Sequence, residues 1–447
     1  MEIQQIALHG SIPSQMPGTS RRTARKSITQ STGVFVNAYL AVIIGSLAGS
    51  WLLGVLSNLL GARHMPPAPP PEFADVFDAE TYRKSREYAR ASMRLAAVTD
   101  TCNTVLIIFF ILTGAFNQLD RAVRALELPP LATGLAYIGA LALAASAIGL
   151  PFEAYRTFVH EKRFGFNTTT LRTFITDRVK AFALTVILGG PLLAAVLLFF
   201  EMAGPYAWLL CWAVAVAFSL GLTYVAPAWI LPLFNSFTPL EDGPLRRALE
   251  AYARQVGFRL SGIFVMDGSR RSTKGNAFFT GFGRRKRIAL FDTLIKEHDT
   301  DEIVAVLAHE VGHSKRGHIK QRLALGVIRT GVVFYLMSLF MNSPDLFAAF
   351  GMAHMSVYAG LVFFILLYTP VSLVLSIAGN AISRAHEYEA DAYAARTTGT
   401  PQAMISALKK LSASTLANLT PHPLTVWLDY GHPPALRRIR ALSALVR

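Results

Sequence analysis

The chain has 447 residues, 52% of them hydrophobic and only 16% charged. A soluble enzyme of this length is nearer ~25% charged, so an ordinary soluble domain is excluded and a membrane protein is the first class to consider. The net charge of +15 would suit nucleic acid, but basic loops beside apolar spans serve membrane topology, and no nucleic-acid partner is expected.

Residues 1–33 are rich in Ser, Thr and Arg, show no apolar period and read as a disordered tail. Apolar runs follow at 34–61, about 101–117, 131–155, 181–202, 205–233, 324–341 and 355–380. Each is near the ~20 residues a spanning helix needs. The first is uncharged and too long for the apolar core of a cleaved signal peptide. MPPAPPP at 65–71 reads as a stiff connector, because proline has no N–H to donate. The fourth and fifth spans are joined around Ala203 and Gly204, which predicts an antiparallel hairpin. Cys102 and Cys211 lie in apolar runs, form no CxxC for a metal and are too few for a disulfide framework. They read as buried small hydrophobes. The chain thus divides into the tail (1–33), a transmembrane domain of five spans (34–233) and a C-terminal block (234–447) interrupted by the last two spans.

Two soluble segments lie in that block, about 235–323 and 381–447. In the first, GIFVM (262–266) and RIALF (287–291) predict strands, with the strand-like, glycine-containing NAFFTGFG between them. The second is mostly helical by pattern. With seven spans, the loops on one side (62–100, 156–180, 235–323, 381–447) hold 36 of the 43 Lys and Arg residues. The positive-inside rule assigns that side to the cytoplasm. RRTARK at 21–26 opposes the assignment locally.

The chemistry concentrates in LAHEVGHSKRGH (307–318). HEVGH at 309–313 has the HExxH form, and positions i and i+4 share a helix face, so His309 and His313 can point at one ion. Neutral imidazoles suit Zn²⁺, and Glu310 can act as general base on a zinc-bound water. TDEIVAVLA (300–308) predicts the helix, with Asp299 or Thr300 as its cap. Zinc then needs a third protein ligand and an open fourth position. His318 lies five residues past His313, about 140° round a helix, and reaches the ion only if the helix breaks first. The pattern HExxHxxGxxH would need a histidine where Ile319 stands. SRAHEYEADAYA (383–394) serves better: Glu387 can ligate while Asp391, at i+4, accepts a hydrogen bond from a ligating histidine. Glu389 is rotated about 200° from Glu387 and is expected to face elsewhere.

HEVGHSKRGH, SRAHEYEADAYA and YGHPPALRRIRAL (430–442) together resemble the type I CAAX prenyl proteases, integral-membrane zinc endopeptidases. RFGFNTTTLRTFITDRVK (163–180), PLFNSFTPLEDGPL (232–245) and DGSRRSTKGNAFFTGFGRRKRIALFDTLI (267–295) extend the match. The resemblance implies a mainly α, polytopic fold: about seven transmembrane helices enclosing a chamber, plus a zincin-like domain with a small β-sheet. It implies one Zn²⁺ held by His309, His313 and Glu387, with Glu310 as base. It also implies an edge-strand segment at Asn276 and Ala277 that holds the substrate backbone, and His432 placed to bind the substrate carbonyl or its oxyanion. Arg384 and Asp391 are expected behind the ligands, and Arg438 beside Glu387 or a substrate carboxylate. Eukaryotic family members remove the last three residues after a prenylated cysteine, so the expected partners are a lipid bilayer and a lipidated or membrane-associated peptide or protein. Two departures stand out: Glu389 where relatives commonly have Gln, and His386 where they commonly have Phe.

Other readings compete. A membrane quality-control protease of the HtpX type shares the chemistry, but those chains are shorter with fewer spans. A site-2-type protease would carry HExxH inside an apolar span, whereas SKRGHIKQR follows it here, too charged for hydrocarbon. A transporter or chaperone with a vestigial site would be expected to have lost Glu310 or a ligand.

Overall fold

The computed structural model describes residues 37–280 and 286–445. The tail with its 21–26 basic run, and Gly281 and Gly283 of the expected turn, lie outside the described residues.

Six helices are long and apolar enough to cross a bilayer: Ala38–His64, Ala79–Leu112, Pro130–Glu161, Leu171–Met202, Gly204–Phe234 and His318–Phe340. Val357–Leu367 and Thr369–Thr398, bent by 53° at their junction, make a seventh crossing if counted as one. The bend sits where Pro370, in the first turn of the later helix, withholds an N–H from the helix ladder. Two boundaries differ from the sequence expectation. The apolar run at 101–117 is the end of a 34-residue helix that starts at Ala79 and stops at Gly114, which takes the left-handed conformation (φ 68°). The run ending at 380 does not end there: the same helix continues through SRAHEYEADAYA to Thr398, closed by Gly399 at φ 69°. Membrane span and acidic motif are one rigid rod.

An apolar core ties the spans together at one end. It gathers Ile43, Ile111, Tyr137, Leu197, Cys211 and Phe363, all buried. The short helix Ala115–Arg124 closes it, with Asp120 accepting from Tyr358 (2.5 Å) and Arg124 (2.9 Å). Chain direction alternates from span to span, so the soluble segments gather at the other end.

There the sheet is small: β1 (Phe237–Pro239), β2 (Gly262–Met266), β3 (Ala277–Thr280) and β4 (Arg287–Phe291), in the order β1-β2-β4-β3. β2 and β4 are parallel and the outer pairs antiparallel. β1 was not expected from the sequence: three residues of FTP carry no alternation to detect. Ile288, Ala289 and Leu290 of β4 are buried, as a central strand requires. Ile288 and Leu290 pack with Leu294, Ile303, Leu307 and Val311. β3 is left as an edge.

Candidate active site

The helix Thr300–Lys315, called here the histidine helix, starts on a capping box: the Asp299 side chain accepts from Glu302 N–H (3.0 Å), and the Glu302 side chain accepts from Asp299 N–H (3.2 Å). It packs on Thr369–Thr398, the acidic helix. The approach is close because neither side carries bulk: a Cβ on Gly312 would come within 3.1 Å of the Cα and carbonyl oxygen of Ala390. That proximity sets His309 and His313 against Glu387.

His309 Nε2 and His313 Nε2 lie 3.2 Å apart. Glu387 brings its carboxylate oxygens to 3.5 Å from the first and 3.3 Å from the second. The ligand atoms of all three residues fall within 4.8 Å of one another. Both Glu387 oxygens are buried, and among the described residues neither receives a hydrogen bond of good geometry. Arg438 and His432 lie close enough to offset part of the carboxylate's charge, and a cation at the centre of the group would offset the rest. Burial lowers the pKa of His309, but hydrogen bonds to Asp391 and Glu387 outweigh it and hold the ring's pKa above the ordinary histidine value. The site therefore favours a positive charge at this point, whether a proton or a metal ion supplies it.

Each histidine is held from behind, and differently. His309 Nδ1 lies 2.9 Å from Asp391. Arg438 grips the same carboxylate with two hydrogen bonds, Nε at 2.8 Å and Nη2 at 2.6 Å, and its Nη1 lies 3.4 Å from Glu387. His313 Nδ1 meets His318 Nδ1 at 3.0 Å, and His318 Nε2 meets Glu389 at 3.2 Å. The histidine helix does break, as the five-residue spacing required: Gly317 takes φ 77° and a new helix starts at His318. His318 thereby returns to the outer nitrogen of His313, not to the ion position. Glu389 does point away from Glu387, and His318 is what it meets. The signal that locates the break is the basic-basic-glycine run Lys315-Arg316-Gly317, a helix C-terminus with a left-handed residue after it.

Arg384 is not where it was expected. Its Nη1 donates to the carbonyls of Val426 (3.0 Å) and Tyr430 (2.7 Å). Carbonyls at the end of the helix Pro423–Asp429 need donors, and this arginine supplies one. It anchors the segment that carries His432 and, among the described residues, forms no ion pair with Glu387. His432 is 70% exposed and sets Nδ1 2.9 Å from Glu387.

A cavity of about 250 Å³ opens in front of His309, His313 and Glu387, walled also by Glu310, Phe278, Phe279, Lys286 and Arg322. β3 forms one side. Asn276 lies just before the strand, and its carbonyl accepts from Phe291 N–H (2.9 Å). With Ala277 opposite Leu290 and Phe279 opposite Ile288, antiparallel pairing alternates, so the main-chain groups of Ala277 and Phe279 point to the open edge. The Ala277 N–H is held by the Asn276 side chain at 2.8 Å. Phe279 was not singled out from the sequence; knowledge of the register was required.

Comparison with known proteins gives a consistent result. A family model described as CAAX prenyl protease N-terminal, five membrane helices, matches residues 61–236, and peptidase family M48 matches residues 239–446. CAAX prenyl protease 1 of Saccharomyces cerevisiae is 35% identical over 401 residues, covering 84% of this chain and 88% of the yeast protein. The Arabidopsis thaliana homolog is 36% identical, covering 84% and 91%, and the Homo sapiens homolog 30% identical, covering 84% and 89%. The crystal structure of S. mikatae Ste24p superposes with a TM-score of 0.86 at 32% identity, over 90% of this chain and 99% of that one.

Proposed function

We propose a function from one premise: this chain belongs to the type I CAAX prenyl protease family, within peptidase family M48, and is a multi-pass membrane metalloendopeptidase. The family implies a metal cofactor. We assign it as one Zn²⁺ per chain, with His309, His313 and Glu387 as ligands. The observation that carries the assignment is the spacing of the three groups: 3.2, 3.3 and 3.5 Å. A tetrahedral site with ligands at ~2.1 Å has edges of about 3.4 Å. Two imidazoles and one carboxylate, with room in front for a fourth position, are also a donor set of catalytic zinc.

When bound, zinc would polarise the scissile carbonyl and stabilise charge developing on its oxygen. The rest falls to the chain's own residues. An extended peptide lies along β3 and pairs with the outward main-chain groups of Ala277 and Phe279, as a strand added to an open edge. Glu310, on the cavity wall beside His309, takes a proton from the attacking water on its carboxylate. It returns that proton to the leaving nitrogen as the C–N bond breaks. His432, exposed at the cavity mouth, donates to the oxyanion. Asp391 and Arg438 keep His309 oriented.

The substrate class we infer is the C-terminal segment of a prenylated CAAX protein, after the printed name of the relatives. An active site at the cytoplasmic end fits both the substrate and the basic loops. The test is cleavage of a prenylated CAAX peptide and its unprenylated twin by purified protein, with zinc measured in parallel. One zinc per chain, chelator-reversible tripeptide release and preference for the prenylated form are expected. Zinc-independent cleavage would overturn the reading. Single cysteines in 156–180 and 342–356, in a background lacking Cys102 and Cys211, should label from opposite faces of sealed membranes, the first from the cytoplasmic face.

A further inference from the structure

His313 is held differently from His309: an imidazole stands behind it, not a carboxylate. With Nε2 committed to a metal ion, a neutral His313 carries its proton on Nδ1. That proton is donated to His318 Nδ1 across 3.0 Å. A neutral His318 accepting at Nδ1 must carry its own proton on Nε2, which lies 3.2 Å from a Glu389 oxygen. Every tautomer in the row is therefore determined, and the row runs one way, from His313 through His318 to Glu389. His318 is almost wholly buried (1% exposed) and lies flat against His386, with ring centres 4.0 Å apart and planes 8° from parallel. It cannot turn without breaking that stack.

The ends of the two rows differ in charge. Asp391 behind His309 is neutralised by the two-pronged grip of Arg438. Among the described residues, no Lys or Arg forms an ion pair with Glu389, whose side chain is 54% exposed. A carboxylate behind a ligating histidine raises its donor strength. Here the carboxylate acts one ring further out and from the surface.

We propose that His318 and Glu389 are positioning residues for the metal site: His318 fixes the tautomer and ring plane of His313, and the charge of Glu389, relayed through His318, strengthens His313 as a ligand. This rests on the reading of His313 as a metal ligand. It goes beyond that reading by giving roles to two residues outside the ligand set.

The experiment is zinc binding by the full-length detergent-solubilised protein, through competition with a chromophoric chelator. It is run at low salt and in 1 M NaCl on the wild type, Glu389→Gln, His318→Ala and His318→Gln. Glu389→Gln should weaken zinc binding ~3–10-fold at low salt, below the usual range for a partner in direct contact. That deficit should shrink in 1 M NaCl, where the screening length of ~3 Å is comparable with the 3.2 Å contact itself. His318→Ala should cost ~10–100-fold at either salt and shift the visible bands of the cobalt-substituted protein. His318→Gln, whose amide can accept from His313 and donate to Glu389, should recover most of the loss. Melting temperatures separate binding from folding, and the half-exposed Glu389 keeps one variant safe from a folding defect. Unchanged zinc affinity in Glu389→Gln at low salt overturns the charge relay. Unchanged affinity in His318→Ala overturns the positioning role. If the wild type binds one zinc and every variant binds as tightly, this proposal alone fails; if the wild type binds none, the ligand assignment fails first.

Discussion

The two walls of the cavity are built on opposite principles. On the helical wall, the histidine and acidic helices meet at Gly312 and Ala390. There the outer polar atoms are matched: Asp391 by His309 and Arg438, His313 by His318. On the strand wall, β3 ends the sheet and leaves main-chain groups of Ala277 and Phe279 without a strand partner among the described residues. A buried metal site must have its hydrogen bonds complete before the reaction, because reorganising them would cost free energy at the moment of chemistry. A peptide-binding edge must have them incomplete, because the substrate supplies the missing half. Prefolded helices and an unfinished sheet are the structural forms of those two requirements.

The comparison breaks most sharply at Glu310, which belongs to the helical wall yet among the described residues forms no side-chain hydrogen bond or ion pair. Glu310→Gln should retain one zinc per chain and lower kcat by ~10²–10⁴-fold. Full activity in that variant would show the proton to be handled elsewhere. Asp391→Ala tests whether matching on that wall matters. Zinc affinity should fall ~10–100-fold, and stability should also fall, because Arg438 would remain buried without its main counter-charge. Wild-type zinc affinity in Asp391→Ala would mean that His309 needs no support from behind.

On the strand wall, two prolines one residue apart should behave differently. Ala277→Pro removes an N–H that faces the open edge. Turnover should drop ~2–10-fold, the worth of one hydrogen bond, with zinc content and melting temperature kept. Phe278→Pro removes an N–H that faces β4 and should unfold the edge itself. Equal effects from the two would mean that the register of β3 is wrong.

Much of the helical wall was legible in the sequence, because its signals are local. Asp299 and Glu302 announce a capped helix, HEVGH supplies the i and i+4 histidines, and Glu387 with Asp391 repeats that spacing. What was not legible depends on long-range pairing or on a single torsion. The parallel pairing of β2 with β4 joins segments about 25 residues apart and leaves no mark on either. Phe279 gains its place only from the register with Ile288. The family resemblance aimed Arg384 at the metal site; its partners are carbonyls some 40 residues on. Periodicity carried His318 round an unbroken helix, when one glycine in a left-handed conformation brings it back.

That glycine gives the smallest and most exact test. Gly317 has φ 77° with nothing within 4 Å of the position a Cβ would take. Substitution therefore meets no clash, and its whole cost is the backbone preference, about 1–2 kcal/mol for an L-residue held left-handed. Gly317→Ala should lower the melting temperature slightly. Gly317→Asn should lower it less, since asparagine tolerates that region better. In neither should zinc affinity change by more than about twofold, because a modest strain does not undo the hydrogen bond from His313 or the stack on His386 that hold His318 in place. An alanine variant as stable as the wild type would mean that the chain does not turn left-handed here. The histidine helix would then run on past His313, and His318 would leave the helical wall altogether.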